Sequence, residues 1–122
     1  MIRIALIDDD LSMRKAISRL LRAHGYACLA YESGEVALAD PELLRMDCLV
    51  VDIQLGGING IELCERVRAL GSRIPHIVIT ARVDANFPEY PSLTHDSILL
   101  IKPFDESDLI ESIELSLASR FQ

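Results

Sequence analysis

Apolar residues along the chain fall into two patterns. In one they form short, nearly unbroken runs: Ile2 to Ile7, Tyr26 to Tyr31, Leu49 to Val51, Ile74 to Thr80 and Ser97 to Ile101. Runs of this length, rich in Ile, Leu and Val, predict strands buried on both faces. After Pro75 the fourth strand is expected from about His76. In the other pattern apolar positions recur every three or four residues, as on a helix with one buried face. Met13, Ala16, Ile17, Leu20 and Leu21 form one such stripe, with Arg14, Lys15, Arg19 and Arg22 opposite and Gly25 as the stop after His24. Ser33 begins a short helix through Val36, Ala37 and Leu38 that ends near Asp40 and Pro41. Asn59 caps a third helix, with Leu63, Cys64, Val67 and Leu70 as its stripe and Gly71 as its stop. Asp105 caps the last, where Glu106 and Asp108 complement the N-terminal dipole and Leu109, Ile110, Ile113, Leu117 and Phe121 face the core. Residues 82–96 break the rhythm, because Pro88 and Pro91 leave room only for a short or irregular fourth crossover helix.

Strand and helix alternate five times along the 122 residues, which form one domain. Buried strands joined by helical crossovers give an α/β fold, a doubly wound five-stranded parallel sheet covered on both faces. Right-handed crossovers place every strand's C-terminal end on one edge, where ligands of open α/β sheets bind. Asp8, Asp9, Asp52, Thr80 and Lys102 all fall at those ends. They are scattered in sequence and share one edge in space.

Composition narrows the functional classes. The net charge of −7, with no basic cluster of the kind that holds phosphates, argues against direct binding to nucleic acid or to an anionic membrane. No stretch is apolar and long enough for a membrane span, no leader pattern opens the chain, and a cytoplasmic location is expected. Cys28, Cys48 and Cys64 form no C-x-x-C pair and read as small buried hydrophobes in a reducing compartment. His24, His76 and His95 lack metal-ligand spacing.

The edge carries the candidate chemistry. Carboxylates gathered together repel one another unless a cation intervenes. Mg²⁺ suits such a site, because it takes one or two carboxylates together with other oxygens and keeps several waters. A backbone carbonyl just after Asp52 is a further oxygen ligand. A carboxylate nucleophile, a divalent cation, the Lys102 ammonium and the Thr80 hydroxyl together suit phosphoryl transfer onto Asp52. The alternative for Asp8, Asp9 and Asp10 is capping of the first helix, which needs one acid and not three.

Jointly, Asp8-Asp9, Asp52, Thr80-Ala81 and Lys102-Pro103-Phe104, in this order and spacing, resemble the receiver domain of two-component response regulators. The loop from Asp52 through Gln54, Gly56 and Gly57 to Gly60 is similar to that family's phosphorylation loop. The resemblance covers essentially the whole chain, and its gap lengths fit the nitrogen-fixation and nitrogen-control branch. It implies a flavodoxin-like sheet of strand order 2-1-3-4-5. It implies that Asp52 accepts a phosphoryl group from a histidine kinase or phosphotransfer protein, with the chain catalysing only its own phosphorylation and dephosphorylation. Asp9, Asp52 and the Gln54 backbone carbonyl are then the ligands of Mg²⁺, or of Mn²⁺ in its place, with Asp8 acting through water. Thr80 is the switch hydroxyl, Lys102 contacts the phosphoryl group, and Lys102–Pro103 is a cis peptide. Ala81, Arg82 and Gln54 fall where the family tunes switching and phosphoryl lifetime. The 82–122 face is the expected surface for a homodimer or an output domain.

Two departures stand out. Gly56 replaces a frequent proline, which loosens the loop after Asp52. Leu99 replaces the aromatic that usually accompanies the threonine switch, which leaves a second reading open: a receiver-like interaction module that works without phosphorylation. Two other classes fit less well. A flavodoxin-like cofactor binder needs a phosphate-cradling loop where Asp8 to Asp10 stand, and an enzyme of the aspartyl-phosphatase type needs an acid where Gln54 stands.

Overall fold

A computed structural model of the chain describes residues 1–81 and 97–120, the side chain of Arg120 excepted. Its elements are β1 (Arg3–Ile7), α1 (Leu11–Ala23), β2 (Ala27–Tyr31), α2 (Gly34–Ala39), β3 (Cys48–Asp52), α3 (Gly60–Ala69), β4 (His76–Thr80), β5 (Ser97–Ile101) and α4 (Glu106–Arg120). The strands form a five-stranded sheet in the order β2-β1-β3-β4-β5, and every neighbouring pair is parallel. The expected fold class and strand order are both met.

Alternate residues of each strand separate into two apolar layers, because side chains along a strand point to opposite faces. Ala5, Ile7, Leu49, Val51 and Val78 face α2 and α3, where Ala37, Ile61, Leu63 and Val67 meet them. Ile4, Leu6, Val50, Ile77 and Ile79 face α1 and α4, where Ile17, Leu21, Leu109, Ile110 and Ile113 meet them. Each fully buried side chain of this size stabilises the fold by about 1.5–3 kcal/mol. The central strand β3 is buried along its whole length. The reactive candidate at its end therefore stands on a fully buried strand, with the equally buried β4 beside it.

The caps at Ser33 and Asn59 fall where those side chains were read. Asp10 Oδ1 accepts the backbone N–H groups of Ser12 and Met13 at 2.9 and 3.3 Å, so one of the three acids does cap α1. Ser33 Oγ accepts Val36 N–H at 3.1 Å, and Asn59 Oδ1 accepts Glu62 N–H at 2.9 Å. At α4 the Asp108 carboxylate reaches back to Asp105 N–H at 3.0 Å. Gly25 and Gly71 follow α1 and α3 with positive φ, as helix stops.

Several local expectations are corrected. Ala16 and Leu70 do not face the core: Ala16 lies on exposed helix surface, and Leu70 is the exposed C-cap of α3. Tyr26 precedes β2, and at this sheet edge Leu29 and Ala30 are exposed. Pro41–Arg45 forms a 3₁₀ turn capped by Asp40, whose other oxygen accepts the buried Tyr31 hydroxyl at 2.8 Å. Burial and that acidic neighbour push the Tyr31 hydroxyl pKa well up. Cys48 and Cys64 are buried free thiols and Cys28 is half-buried; burial pushes the Cys64 thiol up to about 12. Among the described residues no helix is long and apolar enough to cross a membrane. The expected irregularity of 82–96, together with Arg82, His95 and Phe121, lies outside the described residues.

Candidate functional site

Sheet register fixes the site. Ile7 pairs with Val51, Asp52 with Ile79, and Thr80 with Ile101. The ends of β1, β3, β4 and β5 therefore lie side by side, and the residues just beyond them share one edge. Asp52 is only 6% exposed, and both of its oxygens are engaged. Oδ1 accepts Gln54 N–H at 2.9 Å, and Oδ2 accepts the Lys102 ammonium at 2.9 Å across 50 residues of sequence. Lys102 is placed by its own backbone, whose N–H donates to the Thr80 carbonyl at 2.8 Å. The Lys102–Pro103 peptide is cis. Thr80 is fully buried at the end of β4, and Ala81 lies exposed just beyond it.

The adjacent acids after β1 differ sharply. Asp8 is 2% exposed, whereas Asp9 is open to solvent. Burial raises the Asp8 pKa above the usual carboxylate range. The Asp10 N–H, donating to Asp8 Oδ1 at 2.9 Å, and the Lys102 charge oppose the rise, while Asp52 and Asp9 add to it. Negative charge thus exceeds positive charge at this edge, an arrangement a hard divalent cation relieves. Among the described residues no group of three or more His, Cys, Asp or Glu side chains forms a metal cage. Mg²⁺ does not need one, since it binds through one or two carboxylates with other oxygens and water. Asp9, Asp52, the Gln54 carbonyl and Asp8 supply oxygens of that kind.

Of the residues singled out from sequence, the structure joins Asp52 directly to Lys102 and to the Gln54 backbone. Asp8 and Asp9 stand within electrostatic reach of one another, and Asp8 of Asp52 and Lys102. Thr80 neighbours them through strand register and its carbonyl. Leu99 sits apart in mid-β5, half-buried against the α2–α3 layer. Two further residues position the site. Arg14 Nη1 donates to the Asp8 carbonyl at 2.8 Å, tying α1 to the acidic turn. Gly60 begins α3 against the Asp52 backbone, and a Cβ there would collide with the Asp52 carbonyl oxygen. Its spacing from Asp52 is visible in the sequence; the contact is not.

A family model described as the response regulator receiver domain matches residues 4–114. The DNA-binding response regulator MtrA of Mycobacterium tuberculosis is 30% identical over 115 residues, spanning 94% of this chain and 50% of its own length. The transcriptional regulatory protein FixJ of Azorhizobium caulinodans is 30% identical over 114 residues, 93% of this chain and 54% of its own. The chain therefore spans about half the length of these curated relatives. Both support the wider family, and neither singles out the nitrogen-control branch. Among solved structures, the Vibrio cholerae chemotaxis protein CheY4 superposes with a TM-score of 0.85 at 24% identity, over 96% of this chain and 99% of that one. The response regulator TrrA of Thermotoga maritima, in complex with Mg²⁺-BeF, superposes with a TM-score of 0.83 at 26% identity, over 96% and 100%.

Proposed function

The chain belongs to the response regulator receiver family, and from that premise we propose that Asp52 is its phosphoacceptor. The observation that supports this best is the buried Asp52 carboxylate, held at 2.9 Å by Lys102 beside the acids that follow β1. An oxygen of Asp52 attacks the phosphorus of a phosphohistidine on a histidine kinase or phosphotransfer protein. The new O–P bond forms as the P–N bond breaks, and its electron pair returns to the donor's imidazole. Lys102 then turns its hydrogen bond from Asp52 Oδ2 to a phosphoryl oxygen, balancing charge as it builds. Asp9, Asp52 and the Gln54 carbonyl would hold Mg²⁺, with Asp8 acting through water, and the metal would supply further neutralisation of negative charge at this edge. Mn²⁺ meets the same oxygen donors.

The acyl phosphate places about −1.5 to −2 of charge, on the scale of other phosphoryl side chains, beside Thr80. The Thr80 hydroxyl turns towards it and carries the change to Ala81 and the 82–122 face, where a homodimer or output domain reads it. Gln54 and Arg82 set the phosphoryl lifetime. The chain is a phosphoacceptor signalling domain, catalysing only its own phosphorylation and dephosphorylation. Its free thiols accord with the reducing cytoplasm.

A phosphorylation-independent interaction module is the second reading, favoured by Leu99, which packs into the α2–α3 layer where an aromatic switch would otherwise move. Incubation with acetyl phosphate and Mg²⁺, followed by intact mass, separates the two. Addition of one phosphoryl group to the wild type and none to Asp52→Ala is expected. No addition, or equal addition to both, rules out the phosphoacceptor role.

A further inference from the structure

The loop between Asp52 and α3 is pinned at both ends. Ile53 N–H donates to Ile79 O at 2.9 Å, and Gly60 N–H donates to Ile53 O at 3.0 Å. Leu55 anchors its first half in the core, but beyond it Gly56 is exposed with open space around its Cβ position, and Gly57 has a φ of +79° and no side chain to pack. We propose that Glu35, in the first turn of α2, is a positioning residue for the phosphorylation site, latching this loop from outside. The inference rests on Asp52 being the phosphoacceptor and the Gln54 carbonyl a metal ligand.

Three contacts carry it. Ile58 N–H donates to Glu35 Oε2 at 3.2 Å. The Glu35 carboxylate fills the space that a Cβ on Gly57 would take. Gly34, beside it, leaves room for the Ile58 side chain, whose Cγ1 and Cδ1 lie 2.7 and 2.8 Å from where a Gly34 Cβ would stand. Two glycines on opposite sides of one contact therefore let α2 and the loop close together. From outside the loop, the Asp52 carboxylate holds the Gln54 N–H at one end and the Glu35 carboxylate holds the Ile58 N–H at the other.

The loop carries the Gln54 carbonyl and the Gln54 N–H that holds Asp52 Oδ1. A fixed loop presents both in one geometry; a loop loosened by Gly56 and Gly57 presents them in several. Glu35 thus stands to the metal-binding loop as a supporting partner stands to a ligand, touching neither the metal nor the phosphoryl group. A neutral amide at this position keeps the acceptor oxygen, whereas alanine removes it.

The test compares Glu35→Ala with Glu35→Gln in the whole chain. Hydrogen exchange of the Ile58 amide in metal-free protein reads the latch itself. The Mg²⁺ concentration giving half-maximal phosphorylation by acetyl phosphate reads its consequence. In Glu35→Ala the amide should exchange at least several-fold faster and the half-maximal Mg²⁺ concentration should rise about tenfold, the usual scale for losing an outer partner of a metal site. Glu35→Gln should keep both close to the wild type. Unchanged Mg²⁺ dependence in Glu35→Ala, or an equal loss in Glu35→Gln, overturns the proposal even if the amide exchanges faster. A wild type that takes no phosphoryl group at Asp52 overturns the phosphoacceptor reading instead, and the exchange contrast still reports whether the latch exists.

Discussion

β3 and the loop that follows it meet at Asp52 but are held by different forces. β3 is hydrogen-bonded between β1 and β4 and buried along its length. The loop is exposed at Gln54, Gly56 and Gly57, and is tied at its ends, by the buried Leu55 and by Glu35. The proposed phosphoacceptor is thereby placed by the sheet. The groups that would orient a metal are placed by a few replaceable contacts. The contrast teaches that capacity for chemistry and tuning of its rate reside in different parts of one continuous stretch.

Four substitutions probe that contrast, from the largest effect to the smallest. Lys102→Ala removes the cation that holds Asp52 Oδ2. Its rate of phosphorylation by acetyl phosphate should fall about 10²-fold, the scale of losing one preorganised electrostatic partner. A rate within threefold of the wild type, as measured by intact mass over time, would place Lys102 outside the chemistry.

Gly60→Ala drives a methyl group into the Asp52 backbone carbonyl and against Val51. Urea unfolding should show a loss of about 1–3 kcal/mol, as for other overpacked sites. Unchanged stability would mean that α3 moves away freely, contrary to a β3 end fixed by packing.

Asp8→Asn keeps an acceptor for the Asp10 N–H and removes the buried charge. Because burial raises the folded-state pKa of Asp8 above 3.8, the folded chain binds the proton more tightly than the unfolded chain does. Asp8 therefore favours folding at low pH, and that contribution is lost as pH rises through the raised pKa. At pH 7 without metal, Asp8→Asn should melt a few degrees higher than the wild type, and the gap should close below pH 3.8. A variant that melts lower at pH 7 would contradict the sign.

Gly56→Ala should act in the opposite sense to Gly60→Ala, although only four residues separate them. Its Cβ meets open space, and its φ is not positive. Reduced freedom of the unfolded chain should stabilise by about 0.4–1 kcal/mol in the same urea measurement. A loss of stability would show that the loop is packed as tightly as β3.

How far the sequence could be read follows the same division. The inner strands β1, β3 and β4 were legible because central parallel strands bury both faces and so read as unbroken apolar runs, and the edge strands β2 and β5 keep apolar runs although they are less buried. Asp8, Asp52, Thr80 and Lys102 followed from parallel topology, since strand ends share an edge without any detail of loops. Helix stripes were read less well. Ala16 sits at the right spacing yet faces solvent, because a few buried positions suffice to seat a helix and periodicity does not mark where the stripe narrows. The 3₁₀ turn at Pro41–Arg45 carries no apolar period at all. Arg14 on the Asp8 carbonyl, Gly60 on the Asp52 carbonyl and Glu35 on Ile58 are contacts between elements, and residue type alone assigns each a blander place as a surface charge or a helix start. What one strand dictates by its own pattern was visible; what two elements decide by meeting was not.

The most direct measurement locates the phosphoryl group. After incubation with acetyl phosphate and Mg²⁺, borohydride reduces the acyl phosphate and marks the modified acid, and peptide mapping then finds the mark. A single modified position at Asp52, absent without Mg²⁺, is predicted. A mark on Asp8 or Asp9, or none anywhere, would contradict the assignment of Asp52 as the phosphoacceptor.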